Sequence, residues 1–580
     1  MIDTSVPNLL REIEAAESFR DRHLERYHEM VGRFHGPTFL SAPSIRGDHA
    51  NFLYEFATLT LPRIVYDAPR VRVGAGKPSV QQVIAERMRH ALNRWMKMTK
   101  FRRTARRLAM DTLLANFGVA LVVSEPRRGH RDIDDEAPRL PRAYRISPKN
   151  FFFDPVAGSA EEWRYAGHVW TIDLDDLKRL AEKDKTWEAD FIEGMQVEHG
   201  VSDARRALGE DRGVPARGEV AIYEVWVPEV HPDLLEDEAT KRAVNAGEVN
   251  GTIYTLVKLA ADGSAAEGYV RKPQPYRGPR DGPYVMLGIY DVPEDATPLS
   301  PAVAVMKQVD DHNEQLDSMH ESATGYNRFV AVDSKRSKLA KDVKNLGRDF
   351  VLPVENLAPG MIQQVEIGGI TAQQVEYSSI TKERLDRVSG MNDAMRGNVT
   401  GEATATEVTV AEGSSTMRTS DIKRQYQEGV NDIIERVAWH FWYDRRVKFP
   451  LGEEAARRLA QVDPTWEGGV NAGEFEDLEL GIEAYSMERV SEPLLQRRAI
   501  ELFQLVMQAQ VAMAQSPNAP WADVFALIGD MLNIPNLASL VGAKQGSAGA
   551  GAGNGQAAPG TQMGPMGGAV TPARSVGQLA

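Results

Sequence analysis

The chain of 580 residues contains no cysteine, which excludes disulfides and thiolate metal sites and suits a reducing compartment. It has no apolar run of the about 18–20 residues needed to cross a bilayer, so no transmembrane helix is expected. The opening Met1-Ile2-Asp3-Thr4 places an acid early and leads into no apolar segment, which argues against a secretory signal. A basic surplus is also missing: 68 Lys and Arg face 82 Asp and Glu, for a net charge of −14. Proteins that read DNA sequence usually carry the opposite balance on the binding face. An acidic balance serves solubility, and it would equally serve a surface past which DNA slides without sticking.

Catalytic signatures are missing as well. No Ser–His–Asp order, Gly-x-Ser-x-Gly elbow or paired-acid arrangement stands out. Gly74-Ala75-Gly76-Lys77-Pro78-Ser79 lacks the four-residue spacer of a phosphate-binding loop, and Pro78 stands where free N–H donors are needed; it reads as a surface turn. His23 and His28 are off the i, i+4 spacing that puts two metal ligands on one helical face. Asp310, Asp311 and Glu314 have the chemistry for a divalent cation, but fit a solvated acidic helix face better. No catalytic residue, metal site or cofactor is expected, and the protein is not read as an enzyme.

What is present is ordinary globular composition, 42% hydrophobic and 26% charged, over a length that implies three or four folding units. The first 120 residues predict helices over Leu9–Phe34 and Val80–Phe117, the second interrupted by Arg102, Arg103, Arg106 and Arg107. Those arginines suit a solvated face, or contact with a phosphate or an acidic neighbour. Residues 118–299 turn to short β-rich runs, Val119–Ser124, Val220–Val227, Thr252–Leu259 and Tyr284–Tyr290. With helices near Asp173–Lys185 and Leu234–Ala246, this reads as an α+β domain with a mostly antiparallel sheet.

Punctuation sharpens after residue 299. Ser300-Pro301 is a helix start, and Val305, Val309, His312, Leu316, Met319 and Ala323 form one stripe to about Gly325. The remaining faces carry Asp310, Asp311, Glu314, Asp317 and Glu321 against Lys307. At ~1.5 Å per residue the rod would be roughly 37 Å long. Residues 326–370 read as a small insert, with strands over Arg328–Asp333 and Phe350–Pro353 and a short helix over Ser334–Leu346. Its cluster Lys335, Arg336, Lys338, Lys341, Lys344 and Arg348 faces only Asp342 and suits phosphates or an acidic partner. Without aromatic residues it does not suit single-strand recognition.

A second helix opens on the capping box Thr371-Ala372-Gln373-Gln374 and ends at Ser389-Gly390. Met391–Ala403 lacks periodicity and is a loop. A third helix runs from Thr404 to about Tyr443, with a bend near Gly413-Ser414-Ser415 and an apolar stripe of Ile422, Tyr426, Val430, Ile433, Val437 and Phe441. Phe475–Tyr485 is strand-like, Ser491–Val541 is helical in two pieces, and the Gly/Ala-rich 544–580 is expected to be disordered.

This order of parts, with the Ala403-Thr404-Ala405-Thr406-Glu407-Val408 helix opening, resembles tailed-bacteriophage portal proteins, the head-to-tail connectors. The resemblance implies a portal-like α+β fold: a helical stem and crown, a β-rich wing and a small α/β clip. Residues 1–299 would be N-terminal helices and wing, 300–325 the first stem helix, 326–370 the clip and 371–390 the second stem helix. The tunnel loop would be 391–403, with Asn392, Asp393, Arg396 and Asn398 near DNA. The long helix and returning wing strands would be 404–490, and the crown 491–543.

The implied function is a ring, typically of twelve subunits, at one capsid vertex of the virion, assembled in the host cytoplasm. Double-stranded DNA would pass through it without sequence preference during genome packaging and ejection. Implied partners are the terminase large subunit, head–tail adaptor or tail proteins, and the major capsid and scaffold proteins, with no membrane. The basic clip residues would dock partners, and the acids of 310–321 would be candidates to line the channel. Two other readings stand beside it: a different virion structural or scaffold protein, and a metal-dependent nuclease using the acids at 310–314.

Overall fold

The computed structural model describes residues 3–35, 51–65, 67–75, 80–126, 137–195, 219–258, 268–324, 327–332, 362–367, 369–391, 405–459, 464–470, 474–482, 487 and 504. The basic cluster of 335–348, the loop residues Asn392, Asp393, Arg396 and Asn398, the expected helices of 491–543 (position 504 apart) and the tail 544–580 lie outside them. The chain divides into two units, Met1–Val490 and Ser491–Ala580. Every element below belongs to the first.

Helices α1 (Val6–His35), α2 (Phe52–Ile64), α3 (Val80–Thr99) and α4 (Phe101–Leu114) open the chain, with β1 (Val71–Ala75) between α2 and α3. Strands β2 (Gly118–Pro126), β3 (Arg139–Ile146), β4 (Phe151–Phe153) and β5 (Ala166–Asp173) lead into α5 (Leu174–Lys183) and α6 (Ala189–Glu193). Then come β6 (Glu219–Val227), α7 (Glu238–Asn245), β7 (Thr252–Val257), β8 (Gly268–Pro275), β9 (Tyr284–Leu287), β10 (Tyr290–Val292) and β11 (Asp295–Leu299). A helical segment follows: α8 (Pro301–Ala304), α9 (Met306–Thr324), the strands β12 (Asn327–Val332) and β13 (Ile362–Ile367), α10 (Ala372–Ser389) and α11 (Ala405–Tyr443). The remaining elements are β14 (Lys448–Pro450), α12 (Glu453–Leu459), β15 (Thr465–Glu467) and β16 (Leu478–Ile482).

The fold is thus mixed helix and sheet, and the named strands pair antiparallel. The five-stranded sheet has the order β4-β5-β6-β7-β8, and β3-β2-β9 form a second. Strand β6 shows why the larger sheet is a middle layer. Val220 and Ile222 pack with Leu177, Ala181 and Ile192 of α5 and α6. Tyr223, Val225 and Val227 pack on the other face with Leu9, Leu10 and Ile13 of α1. Alternate residues of a strand point to opposite faces, so an almost continuous apolar run is what a sheet covered on both sides requires.

The largest core is built around α11. Its expected stripe, Ile422, Tyr426, Val430, Ile433, Val437 and Phe441, is buried throughout. Each side chain contributes about 1.5–3 kcal/mol of transfer free energy. The stripe meets Met88, Leu92 and Trp95 of α3, Ala105 and Leu108 of α4, and Phe449 and Trp466 of β14 and β15. Three polar side chains of this core find backbone partners: Trp95 Nε1 donates to Pro141 O (2.6 Å), Trp466 Nε1 to Phe441 O (2.7 Å), and the Tyr426 hydroxyl to Ala105 O. Gly118 lets β2 lie against α4, since a Cβ there would stand 2.6 Å from Leu108 O.

Several expectations change. The helix over Val80–Phe117 is two helices, parted at Lys100 in the left-handed region (φ 55°). Gly74 and Ala75 belong to β1, paired with Glu479 and Leu478. Of the strands after α11, β14 pairs with β15, and β16 with β1.

Candidate functional site

The segment singled out in the sequence is a two-helix stem rooted in the α11 core. Its root is Ser300, fully buried. The Ser300 hydroxyl donates to Leu113 O (2.6 Å) and accepts from Ala302 N (3.1 Å), while its own N–H donates to Asn116 Oδ1 (3.0 Å). The side chain therefore caps the helix start and also ties it to the end of α4. Pro301 occupies the first helical position. One turn later the helix breaks at Val305 (φ −101°, ψ −1°), so the stem rod is α9, about 28 Å long at ~1.5 Å per residue, and not the 37 Å expected. Val305, Val309 and Asn313 are buried; from Glu314 onward α9 is half-buried or exposed.

Helix α10 returns antiparallel to α9. Ser322 Oγ accepts from Gln374 Nε2 (3.1 Å) near one end, and His312 Nδ1 lies 2.9 Å from Thr381 Oγ1 further along. Burial and the nearby Lys382 hold the His312 pKa below its ordinary value, against the pull of Asp386. Both halves of the expected Thr371–Gln374 capping box are formed, and Gly390 ends α10 at φ 73°, a conformation open to glycine. Buried Met391 then seats the chain in the α11 core. At the far end, β12 and β13 pair from Asn327↔Ile367 to Val332↔Ile362. The chain from 333 to 361 thus leaves and returns at one ladder. Of the strands expected in the insert, Arg328–Asp333 corresponds to β12, whereas β13 was not anticipated and Phe350–Pro353 lies outside the described residues.

The acids of α9 do not act as one group. Asp310, Glu314, Asp317 and Glu321 follow 4-3-4 spacing and at about 100° per residue share one stripe. Asp311 lies roughly a quarter turn away. Of the residues that meet α10, His312 is on the opposite side of the helix and Ser322 lies roughly a third of a turn from the stripe. Asp311, Glu314 and Glu321 are exposed and Asp317 is half-buried. Asp310 is engaged: Arg33 of α1 pairs with it and with Glu29 (2.6 Å). Lys307 is the one Lys or Arg of α9.

Sequence reading missed the other exposed feature of the stem. Ile370, Val375, Tyr377, Ile380 and Val388 are all at least 39% exposed, whereas Thr381 and Leu385 face inward and are buried. The signal was legible, since α10 holds more apolar residues than a single stripe against α9 can use.

No protein-family model matches the chain, and no curated protein does.

Among the described residues no group of three or more His, Asp and Glu side chains is placed to hold a metal ion, and no helix is long and apolar enough to cross a membrane. His28 is exposed. Arg102, Arg103, Arg106 and Arg107 are exposed on α4, far along the chain from the stem acids.

Proposed function

We propose that the chain is a subunit of a ring-shaped DNA channel of the tailed-phage portal type. The observation that carries the reading is the stem: two antiparallel helices, rooted at Ser300 and Met391 in the core and closed at the far end by a ladder from which an insert emerges. An acidic stripe lies on the side of α9 away from α10, and exposed apolar residues lie on α10. The apolar residues suit packing against neighbouring copies, since exposed patches of this kind mark association surfaces. The acidic stripe suits a wall that repels phosphates. In this reading the subunit hydrolyses nothing. It passes double-stranded DNA without sequence preference, because phosphate contacts position but do not specify. The insert docks a terminase and later an adaptor or tail protein, and the ring sits at one capsid vertex.

Electron microscopy and native mass measurement of the purified chain test this directly. Closed rings with a central hole, near twelve copies, are expected. A protein that stays monomeric while folded, or that forms a shell-like lattice, would overturn the proposal; the lattice would favour another virion structural protein. Magnesium-dependent DNA cleavage abolished by Asp311→Ala would favour the nuclease.

A further inference from the structure

Helices α2 and α4 pack side by side, and α4 presents an outward ridge beside α2. On α2, Phe52, Leu53, Phe56, Ala57, Leu61 and Ile64 are buried, while Tyr54 and Thr58 are exposed one turn apart. On α4, Phe101, Ala105, Leu108 and Thr112 are buried, and Arg103, Arg106, Arg107 and Met110 follow i, i+3, i+4, i+7. Beside this ridge lies a cleft of about 610 Å³, lined by Phe34, Ala57, Leu61 and Met110 with Thr58 and the three arginines. Phe34 is held at its edge, where its carbonyl accepts from Asn51 Nδ2 (3.2 Å) and its ring lies 5.7 Å from that of Tyr54. Tyr54, 54% exposed, prolongs the apolar surface.

Among the described residues none of these arginines forms an ion pair within 4.0 Å. Arg106 makes one long contact to Val65 O (3.5 Å). Arg107 is within electrostatic reach of Asp111, which is already engaged by Arg145 (2.6 Å). The cleft therefore joins an apolar floor to a rim of exposed guanidinium groups, which are suited to bidentate recognition of carboxylates.

We infer that this cleft docks an acidic amphipathic helix of a partner protein. The α4 ridge, at i, i+3, i+4, i+7 spacing, borders a groove floored by α2, and a third helix can pack into it. A floor of Phe34, Leu61 and Met110 takes its apolar anchors, and Arg103, Arg106 and Arg107 take the carboxylates that flank them. A duplex fits less well: its phosphates need an open row of cations and gain nothing from an apolar concavity. The inference stands apart from the ring reading, because it uses no stem residue.

The test uses the full chain and a fluorescein-labelled peptide of about 15 residues, long enough for a helix, with leucines at i, i+3, i+4 and i+7 and glutamates between. Fluorescence anisotropy should show saturable binding that weakens with salt. Arg103→Glu/Arg106→Glu/Arg107→Glu should weaken it at least about 10-fold, about 1.4 kcal/mol, as should replacing the peptide's glutamates by glutamine. Met110→Ser, or serine for the peptide's leucines, should weaken it as well. If the triple Glu variant loses its circular dichroism spectrum, the triple Gln variant takes its place and should also bind more weakly. No binding by the wild type, undiminished binding by the folded triple variant, or tighter binding of a duplex oligonucleotide than of the peptide would each overturn the inference.

Discussion

His312 Nδ1 lies 2.9 Å from Thr381 Oγ1, and this hydrogen bond joins the outgoing and returning helices of the stem where they leave the core. Thr381 is 5% exposed, so water cannot replace a lost partner freely. Thr381→Val keeps the shape, removes the hydroxyl and should cost about 1 kcal/mol. Hydrogen exchange should quicken across 306–324 and 372–389 and stay unchanged in peptides of the α11 core. Equal acceleration everywhere would mean that the bond supports the whole fold rather than the stem.

Ser300 serves two elements with one hydroxyl. Ser300→Ala removes the helix cap and leaves Leu113 O without its partner, which together should cost about 2 kcal/mol. A lower denaturation midpoint with an unchanged slope is expected. A midpoint within error of the wild type would show that the Ser300 contacts carry no net stability.

Stability should fall on mild acidification because of two buried histidines. Burial pushes His168 and His440 down to about 4. At His440 Asp444 opposes the shift, while Arg446 and Arg139 add to it. Both are neutral in the fold, whereas the unfolded chain takes up protons near pH 6.5. Their contribution is therefore complete above about pH 6.5 and is lost as pH falls toward 4, up to about 3 kcal/mol each. Neither ring nitrogen of His440 has a hydrogen-bond partner among the described residues. His440→Phe should accordingly raise the melting temperature at pH 7 and flatten the decline between pH 6.5 and 4. A wild-type melting temperature constant across that range would contradict the buried neutral state.

Charge on α9 should matter unevenly. Glu314→Lys/Asp317→Lys/Glu321→Lys should turn the stripe attractive and raise duplex retention by assembled protein by about 10-fold at low salt, with a steeper salt dependence. Asp310→Asn should change retention little, because Arg33 already neutralises Asp310. The pair is half exposed, so its loss should cost less than about 1 kcal/mol. Equal effects of both variants would mean that the stripe does not face DNA.

The helix starts were legible because they are local chemistry. Ser300-Pro301, the Thr371–Gln374 box and the 4-4-3-4-4 stripe of α11 each depend on residues within one or two turns. Strand Val220–Val227 was legible for the same reason. The sequence alone therefore determined the α+β class, the placement of the stem segments and the acidic character of α9. It could not show that β1 pairs with β16, some four hundred positions on, or that β13 closes the insert, because partner choice along a strand is set by distant backbone. Nor could it separate Asp310 from Glu314, which are alike on a helical wheel and differ only because Arg33 arrives from α1. The arginines of α4 suited a solvated face as well as contact with a phosphate or an acidic neighbour, and only α2 and Phe34 beside them add the apolar floor. Spacing decides which residues share a face; only the packing of distant elements decides what that face meets.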